Sequence, residues 1–174
     1  MRVYEGAGRQ NYQEVLRSIG AILDQRGMRE ILLTETKDGF IVQGIAAVAS
    51  DSTVWSEGGG AHVEKVTVSF MDDDIGRFMD EALARRGQPT SPAPGFYESA
   101  LRVLGSYIDG QQARDAFFFE QDRAFVVRLM MHTKSGMRHV LAEFTAEDID
   151  NLVANAARLR GQAAAPPAAP ATEG

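Results

Sequence analysis

Cysteine is missing from this chain. That excludes disulfides, thiolate metal sites and thiol nucleophiles. Positive charge is short: 18 Lys and Arg stand against 24 Asp and Glu, a formal net charge of -6. A phosphate-backbone binder releases counterions through a surplus of Lys and Arg, so the balance speaks against nucleic acid, while leaving room for a local basic patch. No apolar run approaches the roughly 18 residues of a membrane span. Met1 to Gln10 lack the apolar core of a signal peptide, and the expected location is the cytoplasm. Tryptophan occurs once and histidine three times. No Ser/His/Asp spacing assembles a triad. No cofactor motif is present either, so a non-enzyme without cofactor is expected.

What the chain does contain is a copy of itself. Residues 12–46 fall on 97–131 when shifted by 85: Tyr12 on Tyr97, Arg17 on Arg102, Gly20 on Gly105, Asp24 on Asp109, Glu35 on Glu120 and Phe40 on Phe125. Further on the offset is 74, with Val66 on Val140, Phe70 on Phe144, Asp74 on Asp148, Ile75 on Ile149 and Gly87 on Gly161. Internal repetition is read before any local feature, because it sets the architecture.

Each copy carries the same order of periodicities. Val15, Ile19, Ile22 and Leu23 form one apolar face of a helix over 12–26. Asn11 and Glu14 look like its capping box, and Gly27 its stop. Strands are predicted at 29–36, 40–49 and 64–70, with a turn at Asp38-Gly39. A helix over 72–86 ends at Gly87, with Asp72, Asp73 and Asp74 in its first turn, where acids suit the helix dipole. The second unit repeats this as helix 96–109, strands 114–120, 124–133 and 137–144, and helix 146–160. A two-residue turn at Ser135-Gly136 would set Met131 opposite Val140, Arg128 opposite Glu143 and His132 opposite His139.

These patterns predict an α+β fold: a tandem duplication of an αβββα unit, with antiparallel three-stranded meanders, pseudo-two-fold symmetry and four helices. Residues 1–161 are expected to form one domain, with repeat one at 11–87, a Pro-rich linker at 88–95 and repeat two at 96–161. The Ala/Pro-rich tail, 162–174, is expected to be disordered. In the second unit Phe117, Phe119, Val126, Met130 and Leu141 fall on the sheet face opposite the helix-facing one. A sheet apolar on both faces needs cover on both, from the other repeat or from another chain.

Candidate sites are few. His132 and His139 are a weak pair for a metal, which needs more ligands than the face offers. The first copy is longer by 11 residues between its second and third strands. That insertion holds Trp55 and the Gly58-Gly59-Gly60 run. It leads into a strand and not a helix, unlike a phosphate loop, so the insertion is read as an extended hairpin with a flexible tip or, because an exposed Trp is a typical interface anchor, as a loop in contact with a partner or ligand. Tyr12, Arg17, Tyr97 and Arg102 are candidates to line a pocket between the repeats. In element order each unit is similar to the small acidic secretion chaperones, a resemblance that implies a chaperone-like binding role.

Three functions stay open. The first is a non-enzymatic binding or adaptor protein that engages a protein partner, a homodimer included. The second is a duplicated-sheet nucleic-acid binder, which would have to gather Arg2, Arg9, Arg85, Arg86, Arg158 and Arg160 on one face. The third is a small-molecule binder or enzyme with a pocket between the repeats. The abundance of Ala, Arg and Gly suits a GC-rich bacterial genome.

Overall fold

A computed structural model describes residues 12–48, 62–85 and 93–164. The elements are α1 (Tyr12–Gln25), β1 (Met28–Thr36), β2 (Gly39–Val48), β3 (His62–Met71), α2 (Asp72–Ala84), α3 (Phe96–Gln111), β4 (Arg114–Gln121), β5 (Ala124–Thr133), β6 (Gly136–Phe144) and α4 (Ala146–Ala164). The protein is α+β, with four helices among the described residues. The strands form one six-stranded antiparallel sheet in the order β3-β2-β1-β4-β5-β6. The two meanders therefore join edge to edge through β1 and β4, where Leu33 lies opposite Phe118.

The helices pack on one face of this sheet. The core lies between them and that face, and holds Leu16, Ile19, Leu23, Ile31, Leu33, Leu101, Leu104, Phe118, Phe125 and Leu129. Full burial of each such side chain contributes about 1.5–3 kcal/mol.

α1 and α3 run antiparallel and touch at two glycines. A Cβ on Gly20 would lie 2.5 Å from the carbonyl carbon of Tyr97, and one on Gly105 would lie 2.6 Å from that of Tyr12. The same pair of helices caps itself reciprocally. Asp109, near the end of α3, accepts the N–H groups of Tyr12 and Gln13 at 3.2 and 3.0 Å. Asp24, near the end of α1, accepts those of Tyr97 and Glu98 at 3.0 and 2.9 Å. First-turn N–H groups have no partner inside their own helix, and here each helix supplies the other's. Asn11, expected to cap α1, lies outside the described residues.

Several local readings need correction. The β5–β6 turn is Lys134-Ser135, and Gly136 already pairs with Thr133. The β1–β2 turn is likewise Lys37-Asp38, with Gly39 paired to Thr36. In both hairpins the glycine sits just after the turn at positive φ, 145° at Gly39 and 124° at Gly136. Glycine was needed beside the turn and not inside it. The β5–β6 pairing consequently shifts by two residues from that predicted: Arg128 faces Leu141, Met131 faces Arg138 and His132 faces Met137. The faces keep their identity because the shift is even.

Helix ends also differ. α2 stops at Ala84, with Arg85 at its C-cap; Gly87, expected to end it, lies outside the described residues. α4 runs through Gly161 to Ala164. The tail beyond it, 165–174, lies outside the described residues. Thr145 and Asp148 form a capping box at the start of α4: the Thr145 N–H donates to Asp148 Oδ2 at 2.8 Å and the Asp148 N–H to Thr145 Oγ1 at 3.1 Å. At α2, Asp74 accepts the Met71 N–H at 3.0 Å.

Candidate functional site

Two places concentrate polar groups or exposed apolar surface. The first is the seam between β1 and β4. Each strand carries a bulge, between Arg29 and Leu32 in β1 and between Arg114 and Phe117 in β4. Glu30 and Asp115 take the left-handed conformation there, at φ 50° and 53°. A bulge withdraws a backbone N–H from the ladder, and a glutamate from the facing strand accepts it. Ala116 N–H donates to Glu35 at 2.8 Å, and Ile31 N–H donates to Glu120 at 3.1 Å. The Tyr12 hydroxyl donates to Glu35 at 2.8 Å, and the Tyr97 hydroxyl donates to Glu120 at 2.7 Å. Burial raises the pKa of Glu35, against the opposing pull of the Ala116 N–H and the Tyr12 hydroxyl. Burial first, then the neighbouring carboxylate, raises both tyrosines.

Tyr12 and Tyr97 thus have their hydroxyls committed to glutamates, half-buried at Glu35 and buried at Glu120. Arg17 is buried and binds Glu14 at 3.1 Å and Glu98 at 3.0 Å. Arg102 lies near Glu14 at 4.0 Å, and its Nε has no partner. Burial lowers the Arg102 pKa, and Arg160 and Arg17 lower it further. These four residues hold α1 and α3 to the sheet and to each other, and Glu35 and Glu120 complete the arrangement. Neither glutamate was singled out as a site residue, although both stood in matched positions of the repeat. A cleft of about 370 Å³ lies elsewhere, between β6 and α4, lined by Glu143, Phe144, Asp148, Asn151, Leu152 and Asn155.

The second place is the sheet face turned away from the helices. Register places Thr34, Phe117, Arg128 and Leu141 in one row across β1, β4, β5 and β6, and Leu32, Phe119, Val126 and Glu143 in the next. No described helix or strand covers these rows. Phe119 is 43% exposed, Met137 55% and Leu141 64%. Val63 and Met71 are exposed on the β3 side of the same face. The Arg128 guanidinium lies over the Phe117 ring at 5.0 Å, which keeps its charge in water and its stem on apolar surface.

The remaining candidates stay apart. His139 faces Met130 and His132 faces Met137, so the two histidines are not opposite each other. Among the described residues no group of three potential metal ligands gathers. Arg85 pairs with Glu81 on α2, while Arg158 and Arg160 lie on α4. Arg2, Arg9 and Arg86 lie outside the described residues. No described helix is long and apolar enough to cross a membrane. Trp55, Gly58, Gly59 and Gly60 also lie outside the described residues, but the strand ends around them do not: β2 and β3 pair as far as Val48 opposite His62. A two-residue turn can span such an end. Deleting 11 residues from 49–61 is therefore expected to leave the melting temperature within about 2 °C, since closure entropy changes slowly with loop length. Loss of cooperative melting in that variant would place Trp55 in the core.

Comparison with protein-family models, with curated proteins and with solved structures finds no match for this chain.

Proposed function

We propose that this chain is a non-enzymatic binding protein that docks a protein partner on the open face of its sheet. The apolar rows centred on Phe119 and Leu141 carry this reading. Exposed apolar surface of this kind on a regular element marks an interaction site. The acidic balance and the polar groups spent on internal bonds support a binding role over catalysis. A chaperone-like adaptor fits the same features. On this reading the scaffold is a tandem duplication of an αβββα unit, one pseudo-symmetric domain over 1–161. Its support is that the Tyr–Glu bonds, the aspartate caps and the glycine contacts each occur twice, 85 residues apart.

Size-exclusion chromatography of native extract tests the reading. The wild type is expected to elute in a complex heavier than its 19.0 kDa chain mass. Phe119→Arg should elute at the chain mass with an unchanged circular-dichroism spectrum. Wild type at the chain mass would sink the proposal, and a complex that dissolves on nuclease treatment would favour the nucleic-acid alternative instead.

A further inference from the structure

We propose that the partner on the open face is a second copy of this chain, related by a two-fold axis that lies between the two sheets and runs across their strands. The inference rests on the reading of that face as a protein-docking surface.

The face is self-complementary about one particular axis. Place it between the row of Thr34, Phe117, Arg128 and Leu141 and the row of Leu32, Phe119, Val126 and Glu143. The operation sends each row of one copy onto the other row of its mate. Phe117 then meets Phe119 of the second copy, and Phe119 meets Phe117, which forms two aromatic pairs. Arg128 of each copy comes one strand away from Glu143 of the other. Sheets pack about 10 Å apart, a gap that these two long side chains span together.

The charges call for such an arrangement. Within one chain, the observed register leaves Arg128 opposite Leu141 and Glu143 opposite Val126. Neither forms an ion pair with any described residue. An axis along the strands fails by comparison. Through the sheet centre it would set the β4–β6 half on the β2–β3 half, where Gln43, Thr67 and Ser69 stand beside Ile41 and Ile45, and would part Arg128 from Glu143 of the mate, leaving a counter-charge, Lys65, to Glu143 alone.

The size fits as well. Six strands at about 4.8 Å spacing, with about seven residues each at about 3.4 Å, cover roughly 700 Å². A standard interface buries about 800 Å² per partner. A two-fold pairing of this face is closed, since the same patch is used on both copies.

Sedimentation equilibrium of the purified full chain at micromolar concentration tests the inference, with no other protein present. The wild type is expected at twice the 19.0 kDa chain mass. Phe119→Arg, Arg128→Glu and Glu143→Arg should each weaken dimerisation at least tenfold while keeping the circular-dichroism spectrum. The double variant Arg128→Glu/Glu143→Arg should regain the dimer, because the reversed pair is again complementary. A monomeric wild type overturns the inference, as does a dimer unmoved by these variants. The two readings fail separately. If the purified chain is monomeric while Phe119→Arg still dissolves the complex in native extract, the docking face stands and the second copy does not. If that variant changes neither, both fall.

Discussion

Gly20→Ala and Gly105→Ala are each expected to lower the melting temperature, although alanine is the better helix former. Propensity alone would favour alanine by about 1 kcal/mol. The added methyl, however, meets backbone and not a movable side chain: the Tyr97 carbonyl at Gly20 and the Tyr12 carbonyl at Gly105. Those carbonyls sit in the first turns of α3 and α1, which Asp24 and Asp109 hold in place. Relief requires the two helices to separate, and that strains both reciprocal caps. Overpacking costs about 1–3 kcal/mol, and a contact with fixed backbone belongs at the upper end. The net loss is about 2 kcal/mol, or roughly 4–8 °C at about 2–4 °C per kcal/mol for this size. Thermal denaturation of both variants checks it. Gly76→Ala is the control, because a Cβ there meets nothing within 4 Å, and it should be neutral or stabilising. A rise in melting temperature at Gly20 and Gly105 would refute the close approach of α1 and α3.

Removal of the seam glutamates should cost more. Glu35→Ala leaves the Tyr12 hydroxyl and the Ala116 N–H without an acceptor. Glu120→Ala leaves the Tyr97 hydroxyl and the N–H groups of Ile31 and Arg123, and Glu120 is only 3% exposed. Two of these donors in each case are shielded from water, at about 1–3 kcal/mol apiece, while Arg123 lies in an exposed turn; a loss of about 2–6 kcal/mol is expected for either change, in denaturant melts read as a lower midpoint. Loss below about 1 kcal/mol would mean that water replaces the carboxylate and the seam does not depend on it. The bulges at Glu30 and Asp115 would be the first places to show altered hydrogen exchange.

Glu35 also fixes the sign of a pH effect. Its pKa is raised in the fold, so folding favours the protonated form. The stability this group contributes is complete below the unfolded carboxyl pKa and is lost as pH rises through the folded value. Asp148 has the opposite sign: its bonds to Thr145 lower its pKa, so its contribution is present above the unfolded value and lost as pH falls. Glu35→Gln removes the first effect and keeps the second. Between about pH 4 and pH 7, the difference in stability between wild type and Glu35→Gln should therefore shrink as pH rises. A difference independent of pH would show that Glu35 titrates in the fold as it does in the unfolded chain.

The sequence by itself determined the element order, because hydrophobic periods of 3.6 and 2 are local properties of the chain. It also marked the residues that matter at the seam. Tyr12, Tyr97, Asp24, Asp109, Glu35, Glu120, Gly20 and Gly105 all stood at matched positions before any of their contacts was visible. What they touch was not legible. Tyr12 and Glu35 are 23 residues apart, and Tyr12 and Asp109 are 97 apart; no local pattern encodes such pairings. The tyrosines, read as candidates to line a pocket, place their hydroxyls on carboxylates, half-buried at Glu35 and buried at Glu120. Turn placement failed for a smaller reason: a glycine announces positive φ, but not whether it stands within the turn or just beyond it. The tertiary structure alone decided that the meanders join edge to edge. That choice uses the backbone hydrogen bonds of β1 and β4, which every strand offers equally and no side-chain pattern can announce. It also leaves one face of the sheet uncovered by any described element.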